Sequence, residues 1–348
     1  MRNNAAVICA FAAAIALVPA ADACTRIVYQ GAGSSHLVGR TMDWLEETRT
    51  DLWAFPAGLV RDGGIGSNSI KWTSKYGSVI AAMYNVGTVD GMNDAGLAGN
   101  LLYLTNSDYG DYRFSKKPLL SIGAWLQYVL DNYATVAEAV SALSKEPFTI
   151  VAPALPNGSA AQGHLAITDK SGDTAIVEYT GGKLQIYHGK QFKVMTNEPT
   201  FDQQLAITTY WKTVGGLNFL PGTNRASDRF ARMSWMVDAV PTGLGGDAAV
   251  AQVMSLIRAI SAPLGLSDPL KPNIAATRWR TLTDINAGRY FFDSVHTPSV
   301  FWVDLGLLNL KVGAPSLKLD LSGQRILSGE TSQEFKPAQP FKFLAPHS

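Results

Sequence analysis

The sequence predicts an α+β protein in which antiparallel sheets are packed by helices kept in separate blocks. Strand-like and helix-like stretches follow the order strands, helices, strands, helices, strands. Short turns join neighbouring strands directly, and no regular β-α-β alternation appears, which argues against a doubly wound parallel sheet. The 348 residues are 47% hydrophobic and 16% charged, too apolar for a disordered chain and enough to bury a sizeable core. No linker, internal repeat or low-complexity block divides the chain, so one domain is expected.

The elements follow from local pattern. Cys24 to Gln30 alternate β-branched and polar residues, 31–35 make a turn, and His36 to Trp44 resume the strand pattern, so this is a hairpin with Cys24 at its start. Residues 45–77, rich in Gly, Ser and charge, read as long loops. Ser78 to Val86 is an apolar strand, Asp90 to Gly96 a turn, and Leu97 to Leu104 the return strand. The period then changes: Leu119, Leu120, Ile122, Trp125, Leu126, Val129 and Leu130 follow 3.6-residue spacing. Thr135-Val136-Ala137-Glu138 is a capping box that opens a second helix to about Ser144. Four short strands over 163–196 form a meander, helical patterns occupy 201–211, 226–240 and 247–261, and strands return near 278–284, 289–294 and 300–305. The tail after Leu310 has no strong period.

Met1 to Ala23 read as a targeting segment. Arg2 begins it, Ala5 to Leu17 are nearly all apolar, Pro19 ends the run, and Ala21-Asp22-Ala23 is a small-x-small cleavage site. Two alternatives stand beside a signal peptide: an N-terminal membrane anchor, although the run is shorter than the ~20 residues a span needs, and a lipoprotein signal with Cys24 as the lipidated residue. Cleavage after Ala23 removes Cys9, one of only two cysteines, and leaves a chain that begins Cys24-Thr25-Arg26 in a periplasmic or secreted location. A lone thiol in an exported protein asks for a reason. With 29 basic and 28 acidic residues, no positive excess exists to neutralise phosphates, so a nucleic-acid partner is not expected. No later stretch has the 18 apolar residues of a membrane span, and no metal or cofactor motif is present.

A thiol needs a base or a lowered pKa to attack an amide at neutral pH. His36, His164, His188, His296 and His347 stand in no recognisable cysteine-protease setting. The alternative base is the α-amine of a processed Cys24, whose reference pKa is about 7.7–8.0. Groups that orient it are then needed, and the return strand of the hairpin offers Arg40 to favour the thiolate and Asp43 to accept from the amine.

Cys24-Thr25-Arg26, then Gly39-Arg40-Thr41-Met42-Asp43-Trp44, resemble the choloylglycine hydrolase family, which holds bile salt hydrolases and penicillin V acylases among the N-terminal-nucleophile hydrolases. Further pieces recur in order. Asp90 to Leu97 is similar to the family's DGxNExGL turn, and Thr196-Asn197-Glu198-Pro199-Thr200-Phe201 to its TNxPxF segment. Pro221-Gly222 with Ser227-Asp228-Arg229-Phe230 is similar to PG…SRF, and Thr277-Arg278-Trp279 leading to Asp284 to a late strand. The resemblance spans about 24–305 and implies a four-layer αββα fold of two stacked antiparallel sheets between helical layers.

It also implies roles. Cys24 would be the nucleophile and its amine the base; Arg40, Asp43 and Arg229 would support them. Asn197 would help hold the oxyanion, with a backbone N–H near Tyr103 as the second donor. The reaction would be hydrolysis of a linear amide through a thioester, with no cofactor and no metal. Met42, Trp44, Trp53 and Trp72 are expected to line an apolar acyl pocket. The exported branch that the chain resembles is associated with phenoxyacetyl penicillins and acyl-homoserine lactones, and family members are often tetramers. A bile salt hydrolase and a lipid-anchored binding protein are the competing readings.

Overall fold

The computed structural model describes residues 24–33, 35–266 and 275–346. The targeting segment, Met1–Ala23, lies outside the described residues. The chain opens with the hairpin β1 (Thr25–Gln30) and β2 (His36–Trp44), which pair antiparallel with Arg26 opposite Arg40 and Thr25 opposite Thr41. The segment read as loops instead holds β3 (Leu52–Phe55), β4 (Val60–Asp62) and β5 (Lys71–Thr73). Their polar flanks hid short strands that are fixed by tertiary pairing, β3 on the strand at 78–83 and β4 on β5.

Strands β6 (Ser78–Met83), β7 (Gly87–Asn93) and β8 (Ala98–Leu102) follow. A three-residue turn at 84–86 separates the first two, Met83 pairing with Gly87, and both Tyr84 and Asn85 stand at positive φ (53° and 51°). Tyr84 is an unexpected residue there. Its hydroxyl accepts from Trp44 Nε1 at 2.9 Å and donates to Glu46 at 2.6 Å, while Asn85 is held by Trp53 and Asp51. Asp90 to Asn93, expected as a turn, therefore lie in β7, and the turn comes at Asp94 to Gly96.

Leu119 and Leu120 belong to a short strand, β9 (Leu119–Ser121), and the helix α1 (Ile122–Asn132) starts only after Ser121, whose hydroxyl accepts from Gly123 N–H. Helix α2 (Val136–Leu143) opens on its capping box: Thr135 accepts from Glu138 N–H, and the Glu138 carboxylate reaches back to Ala134 N–H. Next come β10 (Thr149–Val151), the meander β11 (His164–Thr168), β12 (Thr174–Thr180) and β13 (Lys183–His188), and β14 (Val194–Met195). Helices α3 (Phe201–Val214), α4 (Ala226–Ala239) and α5 (Gly246–Ala259) precede β15 (Ala276–Asp284), β16 (Arg289–Ser294) and β17 (Phe301–Asp304). The tail contributes β18 (Leu317–Leu319), β19 (Gly329–Glu330) and β20 (Lys336–Pro337), too short to show a period but paired onto sheet edges.

Two large sheets result, β14-β1-β2-β15-β16-β17-β19 and β13-β12-β11-β8-β7-β6-β3-β18-β20. One core cluster gathers side chains of both sheets together with α3–α5; the other lies between the second sheet and α1. The layers are therefore helices, sheet, sheet, helices. Covered on both faces, β2, β7 and β8 are buried along their whole length, which is why they lack the polar alternation of a half-exposed strand. Gly39 shows how closely the layers meet: a Cβ there would lie 2.7 Å from Ile257 and 2.9 Å from Val253 of α5.

Candidate active site

Period-2 alternation on the opening hairpin sorts the site residues onto two faces. Register puts Arg26 and Arg40 on the face toward the second sheet, with Cys24 and Met42 next to them, and Thr25, Thr41 and Asp43 on the face toward α4 and α5. Cys24 is buried. Its Sγ lies 3.8 Å from Arg40 Nη2, 3.9 Å from Met42 Sδ and 3.9 Å from the Asp43 carbonyl oxygen. Burial pushes the thiol pKa up, and the Arg40 charge opposes that rise without cancelling it. That direction favours the protonated thiol, and a thiol attacks only as the thiolate, so a base is needed for such chemistry here.

Arg40 spans the gap between the sheets. It donates to the Val89 carbonyl at 2.9 Å and the Leu101 carbonyl at 3.1 Å, and it pairs with Asp90 at 3.3 Å. The Trp279 ring lies beneath its guanidinium, 4.9 Å from the centroid. Asp90 is shared: its other oxygen accepts from Tyr290 at 2.7 Å, and Asn100 donates to it at 2.7 Å. Asn100 in turn accepts from Arg26. Arg26, Arg40 and Arg229 are all fully buried beside the two carboxylates of Asp43 and Asp90, so this cluster carries a cationic excess suited to an anionic sulfur or oxygen.

Asp43 differs from expectation. It was expected to accept from the Cys24 nitrogen, but it points to the helix side, where Thr41 donates at 3.1 Å, Thr277 donates at 2.6 Å and Arg229 stands 3.9 Å away. Burial raises its pKa, opposed first by Arg229. The cause of the placement is parity, since residues 40 and 43 on one strand face opposite ways. A β-bulge between Thr277 and Trp279 does comparable work on β15: it turns Thr277 toward Asp43 and Trp279 toward Arg40.

Asn197 takes the acceptor role. Its Oδ1 receives Cys24 N–H at 2.5 Å and Arg229 Nη2–H at 2.9 Å, while its Nδ2 donates to the Tyr103 carbonyl at 2.8 Å. Arg229, from α4, also donates to the Cys24 carbonyl at 2.6 Å and to the Thr25 hydroxyl. The loop carrying Asn197 is fixed by Gln204 of α3, which donates to the Asn197 carbonyl at 2.8 Å and the Pro199 carbonyl at 2.6 Å. Sequence reading singled out neither Gln204 nor the threonines at 41 and 277 as site residues. Only the strand parity of 41 and 43 signalled part of this in advance.

Beside Cys24 lies a narrow pocket with a cavity volume of about 60 Å³, partly open to solvent. Met42, Trp44 and Tyr103 line it, with Trp44 and Tyr103 edge to face at 5.6 Å. Trp53 and Trp72 do not. Trp53 bonds Asn85 and stacks on Phe55, and Trp72 donates to Asp131 at 2.7 Å; both sit in the cluster between the second sheet and α1. Strand β3 directs Trp53 to the outer, helical face of that sheet, and Trp72 comes to the same cluster from β5 of the separate two-stranded sheet β4-β5.

A strand-initial thiol between two stacked antiparallel sheets, flanked by helical layers, defines the αββα architecture of N-terminal-nucleophile hydrolases. A family model described as linear amide C-N hydrolases, choloylglycine hydrolase family, matches residues 24–324. A penicillin V acylase of Pectobacterium atrosepticum is 47% identical over 345 residues, covering 92% of each chain. The structure of a penicillin V acylase from Agrobacterium tumefaciens superposes with a TM-score of 0.86 at 51% identity, over 92% of this chain and 100% of the other. A conjugated bile acid hydrolase from Clostridium perfringens shares the fold at 20% identity, with a TM-score of 0.72 over 88% of this chain and 98% of the other. The chain belongs to the choloylglycine hydrolase family of linear amide C–N hydrolases.

Proposed function

We propose that this amidase uses Cys24 as an N-terminal nucleophile, freed by removal of Met1–Ala23 during export, and that it cleaves the amide of an apolar acyl group such as the phenoxyacetyl group of penicillin V or the chain of an acyl-homoserine lactone. The observation that carries the reading is the position of Cys24. Its sulfur opens onto an apolar pocket beside Arg40, and its nitrogen is held by Asn197.

The chemistry follows from those contacts. While residue 23 is attached, the Cys24 nitrogen is an amide with no basic lone pair. Once released, it becomes an amine of reference pKa about 7.7–8.0, able to take the thiol proton as sulfur attacks the amide carbon. Arg40 favours the anionic sulfur. Asn197 Nδ2 has two hydrogens, of which the Tyr103 carbonyl takes one; the other is suited to the tetrahedral oxyanion, together with a backbone N–H near Tyr103. The C–N bond breaks, the amine product takes a proton, and water hydrolyses the thioester. The penicillin V acylase relatives favour an aryloxyacetyl substrate over a bile salt, and the apolar lining fits that choice.

The test combines N-terminal sequencing and intact mass of active protein with a penicillin V assay. A chain starting at Cys24, active on penicillin V and silenced by Cys24→Ala, is the expected result. A lipid adduct on Cys24, or undiminished turnover by the Ala variant, overturns the proposal.

A further inference from the structure

The second sheet splits beside the thiol. Strands β7 and β8 pair only at Asp90–Asn100, Gly91–Gly99 and Met92–Ala98. Past Asp90 and Asn100 the ladder stops, although β7 runs back to Gly87 and β8 on to Leu102. Each stays paired on its other side, β7 with β6 and β8 with β11, so the two strands diverge as a wedge. Arg40 fills the crotch of that wedge, donating to the carbonyls of Val89 and Leu101 that strand pairing leaves behind.

The pocket runs into this opening. Its lining begins at Cys24 and Met42 on the first sheet, takes Val89 and Leu101 from the two diverging strands, and includes Ile122, Gly123 and Leu344 on the far, helical side. A cavity that reaches side chains of both core clusters passes through the sheet rather than along it.

Leu344 closes that far side. Its N–H donates to the Val86 carbonyl at 2.7 Å, and its carbonyl accepts from the Ser121 hydroxyl at 2.5 Å. The tail leading to it is clamped by aromatic contacts, Phe341 edge-on to Trp53 at 5.5 Å and Phe343 stacked on Trp72 at 6.4 Å. Next to it Gly87 and Gly123 pack backbone to backbone: a Cβ on Gly123 would lie 2.7 Å from the Val86 carbonyl oxygen and 3.3 Å from Leu344 Cβ. At Gly87 and Gly123 the wall is therefore backbone that cannot yield, and the Leu344 side chain is the group packed against it on the far side.

We propose that Leu344 is the end stop of the acyl channel and sets the longest acyl chain the enzyme accepts. The inference deepens the amidase reading and rests on it for the identity of the group bound, an unbranched or aryl-tipped apolar acyl chain. Trp53 and Trp72 then act on specificity at one remove, by holding the tail in place.

The test measures binding of straight-chain carboxylic acids, from butyric to dodecanoic, to the Cys24→Ala protein by tryptophan fluorescence and calorimetry. Affinity is expected to rise roughly fourfold per methylene until the chain meets the stop, and then to level or fall. Leu344→Val is expected to move that break to a longer acid and Leu344→Phe to a shorter one. A break unmoved by both, or no chain-length dependence at all, overturns the assignment. Leu344→Val changes one methylene, so it decides the matter even where Leu344→Phe fails to fold. Failure of the unsubstituted enzyme to cleave penicillin V would instead sink the proposed reaction while leaving this binding profile readable.

Discussion

Arg40 Nη2 stands 3.8 Å from Cys24 Sγ, and the same guanidinium holds the carbonyls of Val89 and Leu101 on two strands that do not pair there. One side chain thus fills the gap between the two strands and sets the electrostatics at the end of the pocket where the thiol lies. The pocket and the Cys24 thiol are therefore not independent parts.

Arg40→Met should lose both functions. It removes the charge that opposes the rise of the Cys24 pKa and strands Asp90 and two carbonyls. Breaking a buried ion pair of this kind costs roughly 3–5 kcal/mol. The expected outcome is a drop of that size in urea-unfolding free energy together with loss of amide hydrolysis. Arg40→Lys should recover part of the stability and little of the activity, because an ammonium cannot serve the forked set of acceptors. Unchanged stability in the Met variant would contradict the role assigned to the guanidinium.

Alkaline stability should report the buried thiol. The folded-state pKa of Cys24 is raised above the ordinary value of 9.0, chiefly by burial. The unfolded chain therefore releases this proton first as pH rises. The stabilising contribution is intact below the unfolded pKa and is lost as pH climbs toward the folded one, with a slope of at most about 1.4 kcal/mol per pH unit. Unfolding midpoints compared at neutral and alkaline pH should fall less for Cys24→Ala than for the unsubstituted protein. Parallel pH profiles for the two would show that the thiol is not shielded as described.

Thr277→Val should destabilise in a pH-dependent way. The Asp43 carboxyl, its pKa raised by burial, would lose its 2.6 Å donor. A buried acceptor left without its donor costs about 1–3 kcal/mol. Because the folded pKa is raised, Asp43 contributes most below its unfolded value and least once ionised. The loss in the variant should thus be largest at neutral pH and shrink in acid. Circular dichroism melts across that range would check it, and a loss that grows in acid would reverse the assigned sign.

Trp44 and Trp72 should separate cleanly. Trp44 lines the pocket beside Cys24, whereas Trp72 anchors Asp131 and the tail. Trp44→Ala is expected to raise KM for an aryloxyacetyl amide. Trp72→Ala should cost roughly 3–5 kcal/mol of stability, the usual price of emptying a core aromatic site. Chemical denaturation and initial-rate kinetics on the two variants would distinguish them; a large KM effect without a stability loss at Trp72 would return it to the pocket wall.

Much of this was open to reading along the chain. Hydrophobic period placed the hairpin, the helices from residue 201 onward and the late strands, because those elements are long enough for their period to show. The short strands at 52–55, 60–62 and 71–73 did not show, since three or four residues carry no clear period and only pairing with other strands fixes them. The start of α1 was misplaced for a related reason: Leu119 and Leu120 are buried as part of a short strand paired with β10, and their apolar run joins that of the helix without a break.

By itself the sequence determined the chemistry available: one cysteine at the head of the opening hairpin, an arginine and an aspartate on the returning strand, and enough apolar chain to bury them. Tertiary structure decided which way each of those groups points. Strand parity and a single bulge sent Asp43 to the helices and Arg40 to the thiol, and only sheet packing could open the wedge that Leu344 closes. The physical reason is that side-chain type is a property of one residue, whereas direction and closure depend on backbone register between segments far apart in the chain.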